Sequence, residues 1–264
     1  MNEICIDQIG HRLHLPAEIR TIVSTVPSQT EWLFDMGLGE RVLGVTKFCI
    51  HPLEACKSKM QIGGTKQLKL DLIHQLNPDL IIANKEENTS SDIEALQQRH
   101  AVWTSDIVSL NDSYDMMIRL GSLLQCKEGA EGMVSDIKAG FSAIPQRKPL
   151  RALYLIWNDP WMAAGTSTFI HSMMESAGYS NVTDQLTDSR YPIVSVQDVL
   201  ELAPEVILLS SEPFPFDHRH QKQFAAQFPT SCIQLVDGEI FSWYGSRMKR
   251  APAYFNQLHD IEFQ

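Results

Sequence analysis

Short apolar runs alternate with stretches of helical spacing along most of this chain. ICIDQIGHRLHL near the start reads as a hairpin with Gly10 near its turn. RTIVST at 20–25 reads as a strand, PSQTEWLFDMG at 27–37 as a helix, and RVLGVT at 41–46 as a strand. Ser28 followed by Glu31 has the spacing of a capping box, and Gly37 suits a helix stop. A helix at 69–76, a strand at 79–84 and AVWTSD at 101–106 close this first series. Strands alternating with helices predict a mostly parallel sheet with helices on its faces.

One block occurs twice. LDLIHQLNPDLIIANKE at 70–86 matches VQDVLELAPEVILLSSE at 196–212 when Pro78 is set over Pro204. Ile73 then meets Val199, Asp79 meets Glu205, and Glu86 meets Glu212. Each copy reads as a helix, a proline break, a buried strand and a polar loop. A unit repeated once at this distance predicts two similar lobes with a cleft between them.

Between the copies, Met117, Leu120, Leu124, Met133, Val134 and Ile137 keep an approximate helical period, with no proline before Pro145. This is one long helix or a helix pair, despite Gly121, Gly129 and Gly132. The second series begins with RALYLIW at 151–157, then a helix at 166–178, the second repeat copy and a helix at 217–228. CIQLVDGEIFS at 232–242 reads as extended, and 247–261 as a final helix. The expected fold class is α/β: two α/β lobes with mostly parallel sheets, joined by a long α-helix. The expected domains are an N-terminal lobe over 1–110, the connecting helix over 111–144 and a C-terminal lobe over 145–264.

Composition narrows the function. At 264 residues, with 44% hydrophobic and 20% charged residues, the chain suits two domains with cores of their own. A net charge of −10 argues against a nucleic-acid partner. Cys5, Cys49, Cys56, Cys126 and Cys232 are scattered, without the spacing of a disulfide framework or a zinc site, and lean toward a reducing compartment. No basic stretch followed by an apolar one marks an export signal at the start, so a cytoplasmic location stays open.

Ligands of open α/β sheets bind at loops beyond the carboxyl ends of the strands. Here those loops hold Lys47, Phe48 and His51; Lys85, Glu86 and Glu87; Trp157 and Trp161; Glu212 and Phe214; and Trp243, Tyr244 and Arg247. Aromatics interleaved with Lys and Arg suit a large, partly apolar ligand that carries negative charge. GGTK at 63–66 lacks the Walker order and suits a loop presenting Lys66. His218 and His220, two apart on a helix, do not share a face, so no metal site is expected there. Neither GxSxG nor HExxH is present. Glu86, Glu87 or Glu212 could serve an enzyme as acid or base, although adjacent loop carboxylates rarely converge on one bond.

The chain resembles substrate-binding proteins of ABC importers for vitamin B12, iron–siderophore or haem complexes, the class III group with a helical backbone between lobes. DQIGHRLHLPAEIRTIVSTVPSQTEWLFDMGLGERVLGVT, LDLIHQLNPDLIIA and GTSTFIHSMMESAGYSNVTDQLTDSRYPIVSVQDVLELAPEVILL carry the likeness, which looks strongest toward the B12 branch. The resemblance implies a non-enzymatic, periplasmic or extracytoplasmic monomer with no intrinsic cofactor. It would hold a metal chelate or corrinoid between its lobes and dock on an ABC permease through one acid per lobe. Those acids fall on Asp71 and on Gln197, whose neighbour Asp198 is the substitute. B12 binders also have a tryptophan near Thr65 and another after the Asp-Ser-Arg stretch, where this chain has Tyr191. The expected ligand set is Lys47, Phe48, Lys66, Trp157, Trp161, Arg190, Tyr191, Trp243, Tyr244 and Arg247, leaning toward an anionic ligand. An intracellular binder of the same fold without a permease is the alternative.

Overall fold

The alternation becomes two sheets in the computed structural model, which describes residues 3–186 and 189–262. Two compact units divide the chain. The first comprises Met1–Ile107, Asn111–Asp136 and Tyr244–Arg247; the second comprises Val108–Leu110, Ile137–Trp243 and Met248–Gln264.

In the first unit, β1 (Glu3–Ile6) and β2 (Arg12–Leu15) form the N-terminal hairpin. There follow β3 (Ile22–Ser24), α1 (Pro27–Asp35), β4 (Val42–Val45), α2 (Leu53–Lys57) and β5 (Met60–Gln61). A second small hairpin joins β6 (Gly63–Gly64) to β7 (Gln67–Leu68). Then come α3 (Leu70–Leu76), β8 (Leu80–Asn84), α4 (Ser90–Gln97) and β9 (Val102–Ser105). The main sheet runs β5-β4-β3-β8-β9, parallel at every pairing. Val23, Ile62, Ile73, Ile81, Ile93, Leu96 and Val102 pack on one face as a core cluster. Burying each such side chain contributes about 1.5–3 kcal/mol.

The connecting segment is a helix pair, not one long helix: α5 (Leu110–Leu123) and α6 (Lys127–Ser142). Gln125, in the left-handed region at φ 62°, breaks the path. The boundary between the two units falls inside α6.

The second unit contains β10 (Leu150–Asn158), β11 (Trp161–Ala163), α7 (Phe169–Ser176), β12 (Tyr179–Asn181), α8 (Val196–Leu202), β13 (Val206–Ser210), α9 (His218–Gln227), β14 (Cys232–Val236), α10 (Gly238–Ser242) and α11 (Ala251–Glu262). Its sheet runs β11-β10-β13-β14 with β12 also on β10, and β11 is the antiparallel member. The segment expected to stay extended over 232–242 turns at Asp237, whose carboxylate accepts the Glu239 N–H at 3.0 Å and so starts α10.

The repeat is physical. Both copies give a seven-residue helix, α3 and α8, ended by a left-handed residue: Asn77 at φ 45° and Ala203 at φ 43°. Both give a fully buried strand, β8 and β13. Asp79 accepts the Thr21 N–H at 2.9 Å, and its counterpart Glu205 accepts the Arg151 N–H at 2.9 Å. Each acid fixes its strand against the one beside it.

The capping box expected at Ser28 is absent. Pro27 takes the first helical position, so Val26 is the N-cap and offers no side-chain bond. Glu31 is thereby freed for another use, described below.

Candidate ligand-binding loops

The first unit presents three strand-end segments tied to one another. Lys47 and Phe48 follow β4, and the Lys47 N–H donates to the Gly63 carbonyl at 2.9 Å. Phe48 is half exposed, and the Lys47 ammonium stands 4.9 Å from its ring centre. Both lie over Gly64, where a methyl group would come within 3.3 Å of Phe48 and 3.5 Å of Lys47. GGTK is the β6–β7 hairpin, with Lys66 at its tip, and the Lys66 ammonium donates to the Glu86 carbonyl. Asn84 and Asn88, both buried, brace the third segment. The Asn84 side-chain oxygen accepts the Glu86 and Glu87 N–H groups at 2.8 and 3.0 Å, while Asn88 donates to the Thr65 carbonyl at 2.9 Å. Sequence reasoning gave these two asparagines no role. Their signal is polar amides at the end of a buried strand.

The second unit presents rings rather than amines. Trp157, at the end of β10, is 39% exposed and donates its indole N–H to the Asp159 carbonyl at 3.1 Å. It meets Phe214 edge-on at 5.8 Å, and Phe214 meets Phe216 at 4.8 Å. His220 packs edge-on against both phenylalanines, and its Nδ1 accepts the Asp217 N–H as part of a capping box for α9. His220 therefore serves the helix start, the His218 Nδ1 lies 3.1 Å from the Gln221 side-chain oxygen, and no group of three metal-ligating side chains occurs among the described residues. Trp161 is half-buried against Phe224 at 4.7 Å. Arg190 and Tyr191, also half-buried, run beside β11: the Arg190 carbonyl accepts the Gly165 N–H at 2.7 Å, and the Pro192 carbonyl accepts the Ala163 N–H at 2.9 Å. Asp188, just ahead of them, lies outside the described residues.

Three expected ligand contacts turn inward instead. Arg247 is 4% exposed, and its guanidinium forms two bonds to the Glu31 carboxylate at 2.7 and 2.8 Å. The Tyr244 hydroxyl, buried, accepts from Gln29 at 3.0 Å, and burial pushes its pKa up. Trp243 donates its indole N–H to Glu212 at 2.9 Å. The same Glu212 oxygen accepts the Ser242 hydroxyl at 2.5 Å. Burial raises the Glu212 pKa, helped by Glu239 and Asp237, while its two donors oppose the shift. Glu212 is one of the carboxylates that could serve an enzyme as acid or base. Here that carboxylate anchors α10.

A family model described as periplasmic binding protein matches residues 22–230. The chain belongs to that family. Periplasmic binding proteins bind rather than transform, which removes the enzyme alternative built on Glu86, Glu87 and Glu212. The chain is 26% identical over 199 residues to a vitamin B12-binding protein of Vibrio vulnificus, covering 74% of this chain and 72% of that one. It is 23% identical over 219 residues to the uncharacterized ABC transporter substrate-binding lipoprotein YvrC of Bacillus subtilis, covering 78% and 68%. The periplasmic heme-binding protein RhuT of Roseiflexus sp. RS-1 shares the fold at a TM-score of 0.77 and 21% identity, covering 92% and 99%.

This periplasmic binding protein differs between its units at the expected docking acids. Asp71 is exposed in the first turn of α3. Asp198, the substitute in α8, is engaged in a capping box: its carboxylate accepts the Ser195 N–H and hydroxyl, each at 2.7 Å, which holds its pKa below the usual range. Exposed Glu201 lies one turn beyond Gln197 on the same face, and the Gln197 amide donates to it at 2.7 Å. Gln75 is the counterpart of Glu201 in the first unit, so the two helices carry acid and amide in swapped order.

Proposed function

We propose that this chain binds an anionic metal chelate or corrinoid, of the vitamin B12, heme or iron–siderophore kind, and delivers it to an ABC importer. The single observation that carries the reading is the division of chemistry between the strand-end loops. The first unit offers Lys47 beside Phe48 and Lys66 at the tip of the β6–β7 hairpin; the second offers the Trp157–Phe214 pair, Trp161, Tyr191 and Arg190. Amines suit carboxylate or phosphate groups on a ligand's rim, and exposed rings suit its flat apolar face. Trp243, Tyr244 and Arg247 leave the ligand set because they are buried in partnerships of their own. The relatives' names point the same way, and a periplasmic or extracytoplasmic location goes with the reading.

A calorimetric and visible-absorbance titration with cyanocobalamin, hemin and a ferric hydroxamate tests it. Micromolar or tighter binding of one ligand is expected. The double change Lys47→Ala, Lys66→Ala should weaken it by about a hundredfold or more, since hydrogen bonds to charged groups contribute about 1.5–3 kcal/mol each. No binding tighter than millimolar across the panel removes the reading.

Asp71 and Glu201 are assigned as the acids that meet the permease, with Asp198 kept for its helix cap. Asp71→Ala and Glu201→Ala should each reduce ligand uptake in cells, about tenfold at low ionic strength, with ligand affinity unchanged. Asp198→Ala should instead lower the melting temperature slightly, because it opens the capping box with Ser195, and leave uptake unchanged. Uptake that responds to Asp198 and ignores Glu201 would reverse the assignment.

A further inference from the structure

The edge of the first unit's sheet holds a cavity that none of the proposed ligand contacts line. Strand β9 is that edge. Its Thr104 N–H donates to the Asp7 carboxylate at 3.0 Å and the nearby Asp106 N–H to the Gln8 side chain at 3.3 Å, so the turn of the β1–β2 hairpin closes the strand. Between this turn, β9 and α4 a space of about 190 Å³ remains.

Its walls are apolar at Ile9 and Ile93. Thr104 lies two residues beyond Val102, which packs with Ile93 and Leu96 of α4, so alternation along the strand turns Thr104 toward α4 as well. Thr104 lines the cavity, is 2% exposed, and its hydroxyl has no hydrogen-bond partner. An unpaired buried hydroxyl is costly, which makes it a signal of something that bonds it. Helix α4 opens on the same space at Ser90 and has no side-chain cap; the Thr89 hydroxyl beside it is buried and also without a partner. The N–H groups of an uncapped first turn favour an anion. Lys85 and His11 on the rim add to that preference. Lys85 already pairs with Asp106 at 2.6 Å, and Glu94 also lines the space, so one small negative group is the most the site would take.

We propose that this cavity binds a small aliphatic monocarboxylate. Its carboxylate would sit between the start of α4 and the Thr104 hydroxyl, and its alkyl body between Ile9 and Ile93. The site is independent of the main ligand and would stand if that reading failed.

Amide chemical shifts of the full, isotope-labelled chain titrated with butyrate test it. Saturable shifts centred on Ser90, Ile93 and Thr104 are expected. Butanol, which lacks the charge, and inorganic phosphate, which lacks the alkyl body, should bind at least about tenfold more weakly. Thr104→Val keeps the shape and removes the hydroxyl. It should melt at a higher temperature than the parent without ligand and bind butyrate about tenfold more weakly. Ile9→Trp changes a side chain 43% exposed and should fill the space and abolish butyrate binding without unfolding the protein. Butanol binding equal to butyrate, shifts centred elsewhere, or unchanged butyrate affinity in both variants would overturn the proposal.

Discussion

Arg247→Met is expected to lower the unfolding free energy by about 3–5 kcal/mol, the cost of stranding one partner of a buried ion pair. The pair is well placed for a large effect. Arg247 and Glu31 are 4% and 5% exposed, and the guanidinium reaches both carboxylate oxygens. Most of the loss comes from the Glu31 charge left without a counter-charge, so Glu31→Leu added to Arg247→Met should recover much of it. Urea denaturation followed by tryptophan fluorescence measures both variants. Arg250→Met, at an exposed position, is the control and should stay within about 0.5 kcal/mol. A loss under about 1 kcal/mol for Arg247→Met would mean the pair behaves like a surface one. The segment Tyr244–Arg247 would still hold two other anchors in the first unit: Tyr244 with Gln29, and the Gly245 N–H donating to the Ser113 hydroxyl at 3.1 Å. The domain should therefore loosen at this strap rather than lose its sheet.

Gly165→Ala comes next in size. A methyl group there would stand 2.3 Å from the Ser189 carbonyl oxygen and 2.9 Å from that of Arg190. Both obstacles are backbone, so the 189–190 segment must shift, and overpacking of this kind costs about 1–3 kcal/mol. The shift also lengthens the 2.7 Å bond from the Gly165 N–H to the Arg190 carbonyl. Arg190 and Tyr191 belong to the proposed ligand set, so affinity for the bound chelate should fall by about tenfold in the same variant. Gly132→Ala is the contrast. It lies inside α6 with open space around its missing methyl, and should stabilise by about 0.5–1 kcal/mol. Thermal melts and ligand titrations of the two variants read both quantities. Equal behaviour of the two would show that the close approach at Gly165 is relieved without moving Arg190.

The reach of sequence reasoning can be traced residue by residue. The repeated helix–proline–strand unit was legible because every part of it is local: apolar spacing, a proline break and a buried run. Asp237 and Gln125 were less so. One ended a strand early by capping the next helix, and the other split the spine by adopting a left-handed conformation; both override a smooth apolar pattern through a single residue. Glu31 was misread for a related reason. Its spacing from Ser28 fits a capping box, but Pro27 moved the helix start and left the acid to an arginine 216 residues away. Asp198 shows the converse, an apparent docking acid engaged by its own helix cap.

The sequence by itself determined the two α/β units and the strand-end loops rich in charged and aromatic residues, and its resemblance to substrate-binding proteins pointed to the family. The units and the loops follow from local spacing and from side-chain types at strand ends. Only the tertiary structure decided which charged and aromatic loop residues stay exposed. Lys47, Lys66 and Trp157 do, whereas Trp243, Tyr244 and Arg247 do not, because a buried polar group must find a partner and those partners come from distant parts of the chain.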